Sequence, residues 1–402
     1  MHSNSMAPSR SAVRRTLAGV LAAGALVLGA APCAGAPALS LTTTAKLLAG
    51  VAPGGDDPAV ARITAGAAWR QHSRAAQAGD QRLRQRLAHI QSWQADHLAQ
   101  VNHGATLLYP FSGPDFINAY ALFPDAERYV FFSLEAIGKV PRLDEMDADQ
   151  QAELFDDLRA ALNDLVALNF FITPNMKEGL DTDALHGTVP VLLAMMGMLD
   201  LQVDEVSAFD PWPERNRGYA ERKGAGPRPA LPAAGVRIVF TNPRTARRQT
   251  LEYLSLDVSD RELRYYPEFL PSLRAYEHPT VLLKSASYLL HGSHFNQLRG
   301  ELLADAAAIV QDDTGVPYQA LRKAGYAVTL FGQYEHPVKL FEGRDQPDLE
   351  QAFAKESDAR PLPFPFGYNW RKEGKSGLIL ARRPSAAAAA ARPAGAPAPG
   401  AH

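Results

Sequence analysis

The chain is nearly without cysteine: Cys33 is the single one in 402 residues. That excludes an intrachain disulfide framework and any metal site built from several thiolates. It also lacks an excess of charge. Lys+Arg total 41 against Asp+Glu 43, a formal net charge of −2, whereas a dedicated nucleic-acid binder usually carries a strong basic surplus. Beyond the first forty residues no apolar run approaches the ~20 residues of a membrane helix. The nucleophile-elbow pattern Gly-x-Ser-x-Gly is absent, which removes the commonest serine-hydrolase signature. What is present is ordinary for a globular protein: 46% apolar and 21% charged residues, enough to bury a large core. At ~100–200 residues per domain, one large domain or two interlocked ones are expected.

Both ends read as segments outside the fold. Arg10, Arg14 and Arg15 precede an apolar stretch at 17–31, and Ala36-Pro37-Ala38 offers a cleavage site. The stretch is too short for a span, so residues 1–38 are expected to be a signal peptide. Arg14-Arg15-Thr16-Leu17 fits the core of a twin-arginine signal; a chance pair in a general secretory signal is the alternative. Cys33 raises lipidation, but Pro32 stands where that signal needs a small flexible residue, so simple cleavage is preferred. The expected location is the periplasm or the exterior, with a cysteine-free mature chain that suits an oxidising compartment. Residues 383–402 hold Ala, Pro, Gly and Arg with no large apolar side chain. Such a tail cannot offset its ordering entropy and is expected to be disordered.

Residues 39–104 form an N-terminal helical segment. Leu83, Leu87, Ile90, Trp93 and His97 or Leu98 recur at three- and four-residue steps, giving one apolar stripe. Gly79-Asp80 is expected to start this helix, with Asp80 as N-cap. From 105 to 382 strand-like and helix-like runs alternate. Residues 106–111 and 128–134 read as buried strands around a short helix at 116–122. Helices follow at 149–171 and 189–201, then strands at 203–209, 236–241 and 250–257. Asn242-Pro243-Arg244-Thr245 makes the last two a hairpin, whose Arg244, Arg247 and Arg248 read as a solvated end. The last third alternates helices at 267–276, 295–307 and 318–325 with strands beginning at 280, 309, 326 and 377. The fold class is α/β: a Rossmann-like, mostly parallel sheet with helices on both faces and an antiparallel hairpin addition.

In open α/β sheets ligands bind beyond the carboxyl ends of the strands. Three polar segments stand there. The first is Tyr109-Pro110-Phe111-Ser112-Gly113-Pro114-Asp115, followed at the next strand end by Glu135. Ser112, Gly113, Asp115 and Glu135 are the candidate ligand-binding residues. The layout resembles the opening of a dinucleotide or S-adenosylmethionine site, where a terminal acid binds a ribose. Only one glycine is present where the dinucleotide fingerprint wants three. Asp115 would also repel a pyrophosphate at the helix start. The alternative is that Ser112 and Asp115 only cap the helix.

The second segment is Lys284-Ser285-Ala286-Ser287-Tyr288-Leu289-Leu290-His291. Read as a strand, it puts Lys284, Ala286 and Tyr288 on one face and the two serines on the other. A lysine after Val281-Leu282-Leu283 is costly to bury unless paired. The third is Gln311-Asp312-Asp313-Thr314-Gly315-Val316-Pro317-Tyr318, and Asp312 or Asp313 is the expected partner of Lys284. One acid of the two could instead cap the helix near Pro317. Lys284, Ser287, Tyr288, Asp312 and Asp313 are the candidate catalytic residues. His291 and His294 bring two ring ligands without a placed acid, so no metal is expected. Gly332-Gln333-Tyr334-Glu335-His336-Pro337 is a lesser polar cluster.

These three segments resemble an uncharacterised family of exported bacterial proteins over about residues 105–381. The resemblance treats the segments as a unit and implies no activity. Three functional readings follow from the sequence. The first is an exported enzyme acting on a small polar or envelope-derived substrate, with the acids as base or acid and Lys284 holding an anion. The second is a non-catalytic envelope protein whose lysine–aspartate pair is structural. The third is a methyltransferase-like fold with or without S-adenosylmethionine. The expected partner is a small polar ligand or envelope component, with no nucleic acid and no transmembrane span in the mature protein. No cofactor is named by the sequence.

Overall fold

In the computed structural model the described residues are 38–99, 101, 106–168, 180, 184–222, 234–355, 360–368 and 376–384. All but Ala38 of the segment expected to be a signal peptide, Cys33 included, lies outside them, as do most of the C-terminal tail and the end of the helix expected at 149–171. Among the described residues no helix is long and apolar enough to cross a membrane.

The first half of the chain supplies helices α1 (Leu41–Leu48), α2 (Pro58–Ala65), α3 (Ala67–His97), α4 (Phe116–Leu122), α5 (Ala148–Leu168), α6 (Val189–Met198) and α7 (Pro213–Arg222). The second half adds α8 (Asp260–Leu263), α9 (Phe269–Leu273), α10 (Asn296–Asp305), α11 (Tyr318–Lys323) and α12 (Pro347–Lys355). The strands are β1 (Thr106–Pro110), β2 (Arg128–Ser133), β3 (Gln202–Phe209), β4 (Ala234–Asn242), β5 (Arg247–Ser255), β6 (Thr280–Leu283), β7 (Ala308–Gln311), β8 (Ala327–Gly332) and β9 (Gly377–Arg382). They form a single sheet in the order β3-β4-β5-β2-β1-β6-β7-β9-β8. β5, β2, β1, β6 and β7 pair in parallel. β4 and β9 run against the other strands.

The expected α/β class is therefore found, with one refinement. β4 and β5 do form the hairpin, but β5 also pairs in parallel with β2 along Arg128–Ser133. Only β3 and β4 are an addition; β5 is the third strand of the parallel core.

The parallel strands are apolar on both faces because helices cover both. Successive residues alternate between the two cores, as a period of two requires. Leu107, Tyr109, Tyr129 and Phe131 join one cluster, together with Leu47, Trp69, Ile90 and Trp93 of the N-terminal helices. Leu108, Val130, Phe132 and Val281 join the other, with Phe269, Leu298 and Leu349. The N-terminal helices thus form one layer over the sheet. Trp93 meets Phe331 of β8 edge-on at 4.9 Å.

One helix boundary differs from expectation. α3 runs unbroken through Gly79-Asp80. A glycine inside a helix costs about 1 kcal/mol. The apolar stripe on both sides of it, Trp69 and His72 before and Leu83 and Ile90 after, is buried and outweighs that cost. Asp80 caps nothing at a helix start and pairs instead with Arg84 at 2.6 Å, one turn on.

Candidate functional site

The parallel order reverses between β1 and β6. The connection from β1 runs to β2 on one side, while β6 lies on the other and leads to β7. Such a switch point opens a crevice at the strand carboxyl ends. The loops after β1, β2, β5 and β6 meet there around a cavity of about 100 Å³.

The loop after β1 is tight. Phe111 has φ 57° and Gly113 φ 50°, left-handed values that suit glycine and strain phenylalanine. Hydrogen bonds hold the turn to β2: Phe111 N–H donates to the Phe132 carbonyl at 2.8 Å, and Gly113 N–H to Ser133 Oγ at 3.2 Å. Asp115 then caps α4, accepting from Asn118 N–H at 3.4 Å. Pro114 therefore precedes the cap.

Asp115 does more than cap. Its carboxylate accepts from Tyr109 Oη at 3.0 Å and Asn118 Nδ2 at 2.8 Å. Lys284 Nζ lies 2.6 Å from Asp115 Oδ2, and each side chain is only 2% exposed. The pair bridges the crevice between β1 and β6. Asp115 thus takes the place expected for Asp312 or Asp313 as the ion-pair partner. Burial raises the Asp312 pKa overall; hydrogen bonds from Thr314 and Ser285 and, least, the Lys284 charge offset only part of that push. The Asp312 oxygens are turned to other donors: Ser285 N–H at 3.0 Å, Thr314 N–H at 3.0 Å and Thr314 Oγ1 at 2.6 Å. Neither Asp312 nor Asp313 caps α11, which begins after Pro317 with no side-chain cap.

Glu135 stands at the other side of the cavity and is buried. Ser133 Oγ donates to its Oε2. Tyr253 Oη of β5 lies 3.3 Å from the same oxygen and 3.2 Å from the Glu135 carbonyl. Burial, and then the Glu135 charge, hold the Tyr253 hydroxyl well above the usual tyrosine range, so it remains a donor.

The segment after β6 is not a strand. β6 ends at Leu283, and Ser285, Ser287 and Tyr288 all have φ between 54° and 56°. The expected alternation of faces from 284 to 288 is overturned, because a left-handed residue turns the chain where a strand would continue it. Such residues cost roughly 1–3 kcal/mol each and persist only when their surroundings fix them. Here Asp312 accepts from Ser285 N–H, and Tyr288 N–H donates to the Thr314 carbonyl at 3.1 Å. Tyr288 Oη donates to Asp313 Oδ2. Tyr368 Oη donates to the Ser285 carbonyl at 3.1 Å and lies 2.7 Å from Ser287 Oγ. A hydroxyl has one hydrogen, so Ser287 donates to Tyr368. Gly367 lets this segment approach, since a Cβ there would stand 2.1 Å from Asp312 Oδ2.

The candidate residues thus fall into two groups. Ser112, Asp115, Glu135, Lys284 and Ser287 line the cavity, and Gly113 shapes the turn beneath it. Tyr288, Asp312 and Asp313 lie outside the lining and buttress the strained loop. Burial, followed by the charge of Asp312, pushes the Asp313 carboxyl up to about 7. Tyr368 is pushed up to about 12 by burial. His291 packs edge-on against Tyr288 at 4.8 Å. Burial, with Arg344 and Arg299 nearby, lowers its pKa to about 4, so it is neutral near pH 7. Among the described residues no group of three or more His, Cys, Asp or Glu is placed to hold a metal ion. Arg247 of the hairpin pairs with Asp125 at 2.7 Å on the surface.

Sequence reasoning missed three contributors. Asp257, just past β5, lines the cavity; the strand-end rule could have found it. Tyr253 and Tyr368 carry no local signal, since each meets its partner from a distant part of the chain. The rim is apolar: Leu134 is 48% exposed and Leu289 36%, and Phe111 meets Phe295 edge-on at 5.4 Å. The lining carries three carboxylates, Asp115, Glu135 and Asp257, against the ammonium of Lys284.

No family model, curated protein or solved structure matches the chain. The site must be read from its own chemistry.

Proposed function

We propose that the protein is an exported enzyme whose crevice takes the hydroxyl- or amine-bearing end of a small envelope-derived compound. The observation that carries this reading is the convergence of Asp115, Glu135, Asp257, Lys284 and Ser287 on one switch-point cavity. An excess of carboxylates favours cations and hydroxyl donors and repels phosphate. Strained loops concentrate at functional sites, and the one carrying Ser285, Ser287 and Tyr288 forms a wall of this cavity. In this reading Glu135 accepts a hydrogen bond or proton from the bound group. Ser287 presents its free lone pairs, and Lys284 limits the local negative charge. The export signal belongs to the same proposal, as does the resemblance to exported bacterial proteins. In its support, the first two marker segments line the cavity and the third braces it.

A methyltransferase-like scaffold is the second reading, favoured by one observation. The core order β5-β2-β1-β6-β7 is third, second, first, fourth and fifth among the parallel strands, and reversed β9 slots in before β8, as in methyltransferase-like sheets. S-adenosylmethionine does not fit the crevice, however. Cofactor sites span ~300–1,000 Å³ against about 100 Å³ here. The Lys284–Asp115 pair also occupies the turn that a nucleotide would approach, and Oε2 of Glu135 is already engaged.

Ligand-observed NMR against amino sugars, polyols and sugar phosphates tests the leading reading. Amino sugars or polyols should bind to the wild type and be lost in Glu135→Gln. Preference for the phosphates would refute it. Calorimetry should show no S-adenosylmethionine binding at millimolar concentration; tight binding lost in Glu135→Ala would make the second reading the leading one.

A further inference from the structure

A larger opening lies in the helical layer and shares no lining residue with the crevice. It sits between α3 and α5, beside the end of α1, and measures about 790 Å³. That is within the ~300–1,000 Å³ of ligand pockets. Its walls are largely apolar, from Ala49, Val51, Trp69, Leu83, Leu162 and Met198. Val51 is 42% exposed, unusual for a large apolar side chain among the described residues.

The charged groups of the lining are unequal: Arg84 and Arg159 against Asp80. Among the described residues each arginine has an ion pair with one surface carboxylate. Arg84 pairs with Asp80 at 2.6 Å, the side chains 67% and 45% exposed. Arg159, its own side chain 21% exposed, pairs with Asp156, whose side chain is 63% exposed. Pairs whose carboxylate stands in solvent contribute little, so either guanidinium can exchange its partner for a ligand anion. A guanidinium also binds a carboxylate through two parallel hydrogen bonds. An apolar chamber with a cationic border matches an amphiphile with an acidic head.

We propose that this chamber is a second binding site, for a long-chain carboxylate: its chain lies between α3 and α5, and its head group meets Arg84 and Arg159. The site is independent of the crevice and of the activity proposed there. It would let the protein hold an acyl chain at its helical face.

Titration calorimetry on the full chain, below micelle-forming concentrations, tests this with dodecanoate, octanoate and dodecanol. Dodecanoate should bind one per chain. Affinity should fall about fourfold for each methylene removed, from the ~0.8 kcal/mol that each buried methylene contributes. Dodecanol should bind at least tenfold more weakly. In Arg84→Ala/Arg159→Ala, dodecanoate should fall to the level of dodecanol while dodecanol is unchanged. Ala75→Trp and Ala160→Trp, at exposed lining positions, should abolish binding of both with the circular dichroism spectrum intact. Absence of saturable binding, equal affinity for acid and alcohol, or full binding by the tryptophan variants would overturn the proposal.

Discussion

Replacing Lys284 with methionine tests the geometry of the crevice most directly. The side chain keeps its length and loses its charge. Asp115 then remains 2% exposed, held by the neutral donors Tyr109 and Asn118, with the buried Arg86 guanidinium as the remaining positive charge that acts with it. Removing one partner of a buried ion pair costs ~3–5 kcal/mol, chiefly because the other charge stays desolvated. Lys284→Met should lose that much stability in urea with an unchanged m-value. At ~2–4 °C per kcal/mol the melting temperature should fall by about 6–20 °C. Lys284→Met/Asp115→Asn should recover a large part, since neither charge is left behind, and the two changes should be strongly non-additive. The loss should persist in 1 M salt, because a buried pair is screened little. A Lys284→Met variant within 1 kcal/mol of wild type would refute the reasoning: the ammonium would then be solvated and the crevice would lack its fixed ion pair.

Three further outcomes follow from the structure. Asp313, with a pKa of about 7 against 3.8 for the ordinary group, binds a proton in the folded state that the unfolded chain has released. The stability it contributes is complete below pH ~4 and is lost as pH rises through ~7, by a few kcal/mol; the difference in unfolding free energy between wild type and Asp313→Asn should show this slope, and a flat difference would exclude it. Gly79→Ala should stabilise the protein by ~0.5–1 kcal/mol in thermal unfolding, because α3 is continuous there; a loss would mean that the helix breaks at that point. Gly113→Ala should destabilise by about 1 kcal/mol, since φ is 50° and a Cβ is strained in that region.

The sheet was legible because its signals are local. Short apolar runs such as Tyr129-Val130-Phe131-Phe132 fix strands, and alternation with helices fixes the parallel class. Where the reading failed, a longer-range force decided. α3 runs through Gly79-Asp80 because its stripe packs on both sides of the break. The stretch at 211–232 is polar and rich in Pro, Gly and Arg, yet residues 213–222 form α7. There Asn216 accepts from Tyr266 Oη at 2.9 Å, a contact no window of sequence contains. The turn after β6 is set in the same way: nothing in Ser-Ala-Ser-Tyr demands left-handed backbone, and the bonds that impose it come from 312–314 and Tyr368.

The lysine's ion-pair partner shows what separates a legible residue from a legible site. The apolar run before Lys284 correctly required a buried carboxylate beside it. Sequence order made Asp312 and Asp313 the natural choice, because β7 follows β6 in the chain. In the sheet β6 lies between β7 and β1, so acids at two strand ends compete for one ammonium. The competition is settled by what else each acid can reach. Asp312 sits at the mouth of a turn that offers three donors, Ser285 N–H, Thr314 N–H and Thr314 Oγ1. Asp115 caps α4 with one oxygen and directs the other, Oδ2, across the switch point to Lys284. The cation therefore joins the two halves of the sheet. A residue type can be predicted from the local cost of burial, but its partner depends on how every neighbouring polar group is satisfied.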